Sequence, residues 1–222
     1  MSLTKICGVT TPEVLNAAID AGAAFIGLVA YPRSPRHVAP LRMTALLQEA
    51  GIPWESPRPA RFVAVTVDAD DRLVEGLRRD VKPDYIQLHG AETIERAAQV
   101  REISDAGIIK AISVSGPEDL EQVPAWAEVA DHLLFDARTP PGSYIPGGLG
   151  ARFDWSLLAG LKLHKPWFLA GGLTPDNVGQ AILQTGAPMV DVSSGVESAP
   201  GVKDVGLIRT FLDNVNSVSP RQ

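Results

Sequence analysis

The chain has 222 residues, 45% of them hydrophobic, so it is long enough for one large folded domain and too apolar to be disordered throughout. Twenty basic and 26 acidic residues give a net charge of -6, which argues against nucleic acid or an anionic membrane as a partner. One cysteine cannot form a disulfide within the chain, no apolar run reaches about 18 residues, and the first residues carry no secretory signal. We therefore expect a cytoplasmic protein.

Eight short apolar runs are distributed along the whole chain. Several of them are almost continuously apolar, which is typical of parallel strands that are covered on both faces. We predict strands at residues 3–7, 25–29, 62–67, 85–88, 108–112, 132–135, 166–170 and 189–192.

Amphipathic segments with helix-capping signals alternate with these strands. The first begins at Thr11-Pro12-Glu13, which supplies a cap, a proline and an acid, and it ends at Gly22. Thr174-Pro175-Asp176 and Gly186 repeat this arrangement. We expect the other helices at residues 43–50, 71–79, 93–103, 117–126, 155–161, 175–185 and 204–214.

Eight strands that alternate with eight helices predict an α/β fold, a single-domain (β/α)8 TIM barrel with eight parallel strands. The barrel is expected to span residues 1–216, with a disordered tail at 217–222. The alternative is a doubly wound open sheet, which usually has fewer repeats and a glycine-rich fingerprint after its first strand. Here that strand ends in Cys7-Gly8-Val9, so the barrel is favoured.

Barrel active sites lie at the carboxyl ends of the strands, so the last residue of each strand is a candidate. Strand alternation places Cys7, His89, Asp136 and Asp191 together at this rim if their faces point inward, and a slip of one residue would reverse any of them. Lys5 shares the face of Cys7, and a buried lysine needs an acid partner such as Asp191.

Each of these side chains also has a purely structural interpretation. A lone cysteine such as Cys7 usually fills core space, and His89 could simply satisfy loop carbonyls. Asp136 could cap the next loop, and Lys5 with Asp191 could be a structural ion pair. A catalytic or binding role is favoured for these residues because they lie at or near the carboxyl ends of their strands.

Two glycine-bearing turns follow the last two strands. Gly171 and Gly172 follow strand 7, and Ser193, Ser194 and Gly195 follow strand 8. Barrels hold phosphate on backbone N–H groups of these two loops, and glycine permits close approach of the anion. Ordinary tight turns are the alternative, but two in succession favour a phosphate site.

Arginine in a proline-rich loop after strand 2 suits the binding of a carboxylate, since guanidinium can hold it with two hydrogen bonds. That loop carries Arg33 and Arg36, and one of them is expected to be only solvated. The glycines at 147–150 could hinge a lid or belong to a surface loop. The four histidines show no metal-ligand spacing, so no metal site is expected.

The ordered set of motifs resembles the phosphoribosylanthranilate isomerase family of tryptophan biosynthesis, from the first strand to the last helix. The motifs are Lys5-Ile6-Cys7-Gly8, Ser34-Pro35-Arg36, Gln87-Leu88-His89-Gly90, Phe135-Asp136, Gly147-Gly148, Phe153-Asp154-Trp155, Leu169-Ala170-Gly171-Gly172-Leu173, Asp191-Val192-Ser193-Ser194-Gly195-Val196-Glu197 and Gly201-Val202-Lys203-Asp204. The resemblance implies a (β/α)8 barrel that carries out an Amadori rearrangement without a cofactor. The substrate would be N-(5-phosphoribosyl)anthranilate and the product 1-(2-carboxyphenylamino)-1-deoxyribulose 5-phosphate.

The resemblance also implies roles for individual residues. Cys7 would be the general base and Asp136 the general acid, while Arg36 would hold the anthranilate carboxylate. His89 and Asp191 would line the sugar site. Phosphate would bind to the turns at Gly171, Gly172, Ser193, Ser194 and Gly195. The family includes both monomers and homodimers, and no partner beyond the small-molecule substrate is implied.

These roles require that two pKa values be moved in opposite directions. The pKa of the Asp136 carboxyl would have to be raised by burial or a negative neighbour, and that of the Cys7 thiol lowered, with Lys5 as the nearest candidate cation. The histidine-pathway isomerase is a rival, but it would have an aspartate in place of Cys7 and an internal two-fold repeat. A non-catalytic phosphate-binding barrel would need neither Cys7 nor Asp136.

Overall fold

The computed structural model describes residues 2–53, 57–137, 153–161 and 163–218. Eight parallel strands pair in chain order, β1 with β2 through to β8 with β1, and close into a barrel. The predicted (β/α)8 barrel is therefore confirmed. The strands are β1 (Leu3–Cys7), β2 (Phe25–Val29), β3 (Arg61–Thr66), β4 (Tyr85–Leu88), β5 (Gly107–Val114), β6 (His132–Ala137), β7 (Trp167–Leu169) and β8 (Met189–Val192).

Helices follow most of the strands and cover the outside of the barrel. They are α1 (Pro12–Asp20), α2 (Pro40–Glu49), α3 (Asp71–Asp80), α4 (Ile94–Ser104), α5 (Val123–Val129), α6 (Pro175–Thr185) and α7 (Val205–Ser217). Several begin at a side-chain cap, as when Thr11 accepts from the N–H of Val14 and Asp70 from that of Leu73. Of the helices in the described ranges, none is long and apolar enough to cross a membrane.

Three segments differ from the prediction. The helix expected at 117–126 is a 3-10 turn at Pro117–Leu120 followed by α5, because Pro124 has no N–H to continue a helix from the preceding turn. The helix expected at 155–161 is only a 3-10 turn at Trp155–Leu158, ending before Gly160, which has a φ of +81°. A hairpin of β9 (Glu197–Ala199) and β10 (Val202–Lys203) was not predicted.

The end of the chain also differs slightly from the prediction. Helix α7 continues to Ser217, one residue into the expected tail, and residues 219–222 lie outside the described part. The division into a domain at 1–216 and a tail stays a prediction.

Strand alternation separates the barrel interior from the layer under the helices. The interior apolar cluster contains Cys7, Val65, Ile109 and Leu134, whereas their strand neighbours join the outer core with the helices. The inward parity predicted for the candidate residues is therefore confirmed for β1 and β6. Interior positions further toward the carboxyl end change from apolar to polar, and that change creates the site.

An aromatic layer fills the amino-terminal end of the barrel. Phe25, Tyr85, His132 and Phe168 pack at a tilt or edge to face, with ring centroids 5.0–6.1 Å apart. Arg61 lies over two of these rings and donates from Nη1 to the Tyr85 hydroxyl at 2.7 Å. The barrel is therefore closed at this end by packed side chains.

Burial in this layer lowers the pKa of the His132 imidazole, and the nearby Arg61 and Lys165 act in the same direction. The Pro166 carbonyl and the Asp131 carboxylate oppose the shift without cancelling it. Folding therefore favours the neutral imidazole. This stabilisation is present above the pKa of the unfolded histidine and is lost as the pH falls through the lower pKa of the folded state.

We accordingly expect the free energy of unfolding to decrease as the pH falls below about 6.5, the usual pKa of histidine. Urea unfolding measured across this range should show a smaller decrease in His132→Phe. His164 is exposed, so His164→Gln is the control and should retain the full decrease. An unchanged pH dependence in His132→Phe would rule out His132 as its source.

Candidate active site

A buried ion pair and the only thiol of the chain meet where β1 and β8 pair. Lys5 is fully buried, and its Nζ donates to Asp191 Oδ1 at 2.9 Å, as the sequence predicted. Burial by itself lowers the pKa of Lys5, but the Asp191 carboxylate and, when it is ionised, the Cys7 thiolate outweigh it, and the pKa is raised. Lys5 is therefore protonated at neutral pH and lies beside Cys7.

Gly27 on the neighbouring strand provides the space for this cluster. A Cβ there would lie 2.9 Å from Cys7 Sγ and 3.2 Å from Lys5 Nζ. A larger side chain at this position would displace either the thiol or the ammonium group. Glycine at 27 is therefore part of the site, although the sequence analysis assigned it no role.

The pKa of the Cys7 thiol differs from the expectation. Burial raises this pKa, and Lys5 and Lys203 lower it only in part, while Asp191 raises it further. The expected lowering by Lys5 exists, but it is smaller than the cost of placing a thiolate in a buried position. The prediction of a net lowered pKa is therefore wrong for this structure, in which the protonated thiol is the dominant form at neutral pH.

A chain of three polar side chains lies on the opposite side of the barrel, on β4 and β6. His89 Nε2 is 3.3 Å from Asp136 Oδ2, and His89 Nδ1 is 2.8 Å from Gln87 Nε2. Asp136 Oδ1 accepts from the N–H of Ala137 at 2.8 Å. The predicted residues His89 and Asp136 are thus brought into direct contact, and Oδ2 is the carboxyl atom held by the histidine.

The backbone around His89 is held by a second buried ion pair, outside the barrel interior. Lys110 Nζ lies 2.8 Å from Glu92 Oε2 and donates to the carbonyl of Gly90 at 2.8 Å. Glu92 accepts from the N–H of Gly90, and the N–H of His89 donates to the Thr66 carbonyl. The sequence analysis gave no role to Lys110 or Glu92, which together fix the loop that carries His89.

The two predicted phosphate turns lie side by side. A Cβ at Gly195 would lie 1.8 Å from the Leu173 carbonyl oxygen, so the loops after β7 and β8 pack backbone against backbone. Gly171 and Gly172 have φ values of +83° and +62°, which favour glycine. A 3-10 turn begins at Ser194, and the first N–H groups of such a turn have no acceptor within it.

Arg36 lies beside these turns in a network that the sequence analysis did not foresee. Its Nε and Nη2 donate to the two carboxylate oxygens of Glu197, each at 2.7 Å. Lys203 Nζ donates to the same carboxylate at 2.6 Å and to the Ser193 carbonyl at 2.9 Å. Ser193 Oγ in turn donates to the Cys7 carbonyl at 3.1 Å. One carboxylate therefore links the arginine, the phosphate turn and the strand of the cysteine.

The pKa values in this network reflect its burial. Burial acts to raise the pKa of Glu197, but the hydrogen bond from Arg36 and the charge of Lys203 outweigh it and hold the pKa below its usual range. Burial lowers the pKa of Lys203, and Glu197 opposes this only in part. The hairpin of β9 and β10 supplies both residues, and the Pro200-Gly201 turn signal was its only trace in the sequence.

We expect Glu197→Gln to lower the free energy of unfolding by about 3 to 5 kcal/mol, because it removes the negative charge that two buried cations share. Urea unfolding measures the loss. Glu49 forms an exposed ion pair with Arg42, so Glu49→Gln is the matched control and should change stability little. Equal effects of the two substitutions would contradict the importance of the buried network.

Two further expectations concern metals and a lid. In the described ranges, no three His, Cys, Asp or Glu side chains come together in a group that could hold a metal ion. The glycines at 147–150, interpreted as a hinge or a loop, lie outside the described residues.

The fold defines the class of the protein: a (β/α)8 barrel, with a thiol and a carboxyl group on opposite sides of the mouth at which such barrels carry their active sites. The family follows from comparison. Residues 4–214 match the model of the N-(5'phosphoribosyl)anthranilate (PRA) isomerase family, and the chain belongs to that family.

Individual relatives agree with this assignment. The chain is 50% identical over 221 residues to an N-(5'-phosphoribosyl)anthranilate isomerase of Caulobacter sp. (strain K31), with 98% of this chain and 100% of the relative covered. The phosphoribosyl anthranilate isomerase structure from Thermotoga maritima superposes with a TM-score of 0.84 at 33% identity, covering 97% and 99% of the two chains. Another structure of this isomerase, in complex with reduced 1-(o-carboxyphenylamino)-1-deoxyribulose 5-phosphate, gives a TM-score of 0.80 at 32% identity, with the same coverage.

Proposed function

We infer that this chain catalyses the isomerisation of N-(5'-phosphoribosyl)anthranilate to 1-(2-carboxyphenylamino)-1-deoxyribulose 5-phosphate, a step of tryptophan biosynthesis. Membership of the isomerase family over residues 4–214 is the observation that carries this inference. The arrangement of Cys7 and Asp136 on opposite sides of the barrel supports it, because the reaction needs a base and an acid at two different substrate atoms.

We propose that the two ends of the substrate bind to two sites on the same half of the mouth. The phosphate would lie on the backbone N–H groups of the turns at Gly171-Gly172 and Ser193-Ser194-Gly195. The anthranilate carboxylate would bind to Arg36, whose orientation is set by Glu197. His89 and Asp191 would line the space for the sugar between Asp136 and Cys7.

In the proposed reaction, Asp136 acts first. Its protonated carboxyl donates to the furanose ring oxygen while the C1–O bond breaks, and the nitrogen lone pair forms a protonated Schiff base at C1. The Cys7 thiolate then removes the proton from C2. The electrons of that C–H bond form the C1–C2 double bond, and the iminium electrons return to nitrogen.

The resulting enolamine becomes the product ketone when C1 gains a proton and the C2 hydroxyl loses one. At this point Asp136 has lost one proton and Cys7 has gained one, so the substrate as a whole is only rearranged. Transfer of a proton from the thiol to the carboxylate, through solvent at the mouth, restores the enzyme. No cofactor is needed for this proton balance.

The raised pKa of Cys7 has a direct consequence for this scheme. The base must be a thiolate, yet burial keeps the thiol mainly protonated at neutral pH. The active form is therefore a minor fraction of the free enzyme, and the proposed substrate must react with that fraction.

A turnover assay tests the proposed function. The anthranilate substrate should lose its fluorescence when the purified chain is added, at a rate proportional to enzyme concentration. The aminoaldose of the histidine pathway is the comparison substrate, and faster conversion of that compound would favour the rival isomerase. Binding of the anthranilate substrate without turnover would favour the non-catalytic phosphate-binding barrel.

A separate measurement tests the phosphate site. Addition of inorganic phosphate is expected to shift the amide NMR signals of Gly172, Ser194 and Gly195, because the anion would accept hydrogen bonds from these groups. Sodium chloride at matched ionic strength should not shift them. Shifts confined to the aromatic end of the barrel, around Phe25 and Tyr85, would place the anion elsewhere.

Location and assembly are further proposals. We propose that the enzyme acts in the cytoplasm, because a phosphorylated substrate carries charges that do not enter a bilayer unaided. Either a monomer or a homodimer fits the proposed site, since every residue assigned to it comes from one chain. Size-exclusion chromatography with light scattering distinguishes the two.

A further inference from the structure

The side chain of Gln87 is a buried amide, and it is the innermost of three polar groups, Gln87, His89 and Asp136, that contact one another in series. No role has been assigned to it. It is 1% exposed, and its Nε2 lies 2.8 Å from His89 Nδ1. Its Oε1 is buried and has no hydrogen-bond partner among the described residues. A buried amide oxygen without a partner is costly, so its presence calls for an explanation.

Two hydrogen-bond arrangements fit the same positions of the Gln87, His89 and Asp136 side chains. In the first, the Gln87 NH2 group donates to His89 Nδ1, so that the ring hydrogen is on Nε2 and is donated to an Asp136 carboxylate. In the second, a half-turn of the amide brings its oxygen to Nδ1, which then carries the hydrogen. Nε2 becomes an acceptor and receives the hydrogen of a protonated Asp136.

The amide is the element that permits both arrangements. The first arrangement leaves Oε1 without a partner among the described residues, so the pairing of the amide does not hold the side chain in that orientation. A carboxylate at 87 could only accept from Nδ1, and an aliphatic side chain could do neither. The backbone of His89 is fixed from both sides, so the ring can respond to Gln87 without leaving Asp136.

We propose that Gln87 is a positioning residue that acts through His89 to determine which partner of the His89–Asp136 hydrogen bond carries the proton. By turning its amide, Gln87 accommodates Asp136 both before and after it gives up a proton. This role rests on the proposed function, because Asp136 needs both states only if it is the acid of that reaction.

The experiment combines nitrogen NMR of the histidine rings with kinetics. In 15N-histidine-labelled wild-type protein, His89 is assigned by comparison with His89→Asn, and its two ring nitrogens are followed across pH. We expect each ring nitrogen to carry the hydrogen in part of the pH range in which the protein is folded, Nδ1 while Asp136 is protonated and Nε2 once it is a carboxylate. In Gln87→Glu, whose ionised carboxylate can only accept, Nδ1 should carry hydrogen at every pH at which that carboxylate is ionised and the protein is folded.

The kinetic test uses Gln87→Met, which keeps the size of the side chain and removes its hydrogen bonds. We expect kcat to fall roughly tenfold, the effect of losing one buried hydrogen bond, with KM nearly unchanged. The pH–rate profile should also shift relative to that of the wild type, because the proton affinity of Asp136 changes with its histidine partner. Thr66→Val is the matched control, because it removes the hydrogen bond from Thr66 Oγ1 to the Gln87 carbonyl and leaves the side chain of 87 in place. Its pH–rate profile should stay as it is in the wild type.

The proposal is overturned if Gln87→Met keeps both the wild-type kcat and the wild-type pH–rate profile. It is also overturned if the His89 ring signals of Gln87→Glu are those of the wild type, a result that does not depend on activity. Absence of turnover in the wild-type chain would instead overturn the proposed function, and the NMR measurement would still decide whether Gln87 controls the His89 ring.

Discussion

Cys7→Ala is expected to reduce kcat by about two to four orders of magnitude, the usual contribution of a general base. Proton removal from C2 has no other base in the proposed scheme, since the neighbouring Lys5 is held as a cation by Asp191. The affinity for the reduced product analogue should change little, because the alanine removes only the thiol. Steady-state kinetics and calorimetric titration measure the two quantities.

Cys7→Ser is the matched variant for this experiment. It keeps the size and position of the side chain but replaces the thiol by a hydroxyl that does not ionise near neutral pH. Its rate should therefore be almost as low as that of Cys7→Ala. Near-full activity in either variant would show that Cys7 is not the base.

Asp136→Asn is expected to produce a loss of similar size, about two to four orders of magnitude, because the amide has the shape of the acid without its transferable proton. The loss should appear in kcat, with little change in the affinity for the product analogue. An undiminished rate would exclude Asp136 as the acid and make His89, at 3.3 Å from it, the next candidate.

The pH dependence of the residual activity of Asp136→Asn tests whether Cys7 is the base and Asp136 the acid. With the acid removed, the rate should follow the thiolate fraction of Cys7 alone. Since burial raises the pKa of this thiol, the rate should increase through neutral pH and into the alkaline range, and the alkaline decrease of the wild type should disappear. If the groups are coupled, the wild-type limbs describe the pair rather than single residues. Retention of both limbs in Asp136→Asn would contradict the assignment.

The strands could be predicted closely because their signal is local. The run 25–29 has no charged or polar side chain, the run 189–192 has only that of Asp191, and the structure gives the same bounds. The hairpin of β9 and β10 could not be predicted in this way, because it has only five residues in strands and its residues are partly exposed. Its importance lies in a contact with Arg36 across 161 positions of the chain, which no local pattern contains.

The candidate site divides along the same line. Strand-end position and inward parity were enough to select Cys7, His89, Asp136 and Asp191. The raised pKa of the Cys7 thiol could not be predicted, because it is the difference between the cost of burial and the attraction of nearby cations, and only the folded structure sets that difference. The sequence identified Lys5 as one of those cations, but it did not reveal how deeply the thiol is buried.

The aromatic layer at the amino-terminal end of the barrel determines how small molecules can pass through the site. The interior below the polar groups is filled by Phe25, Tyr85, His132 and Phe168. Substrate and product can therefore reach the site only from the carboxyl ends of the strands. Substrate enters and product leaves through the same opening, so a new substrate molecule cannot bind until product has left. Because product and substrate share this site and its opening, we expect product to inhibit competitively, and the rate of product release sets an upper limit on how often the cycle can be repeated.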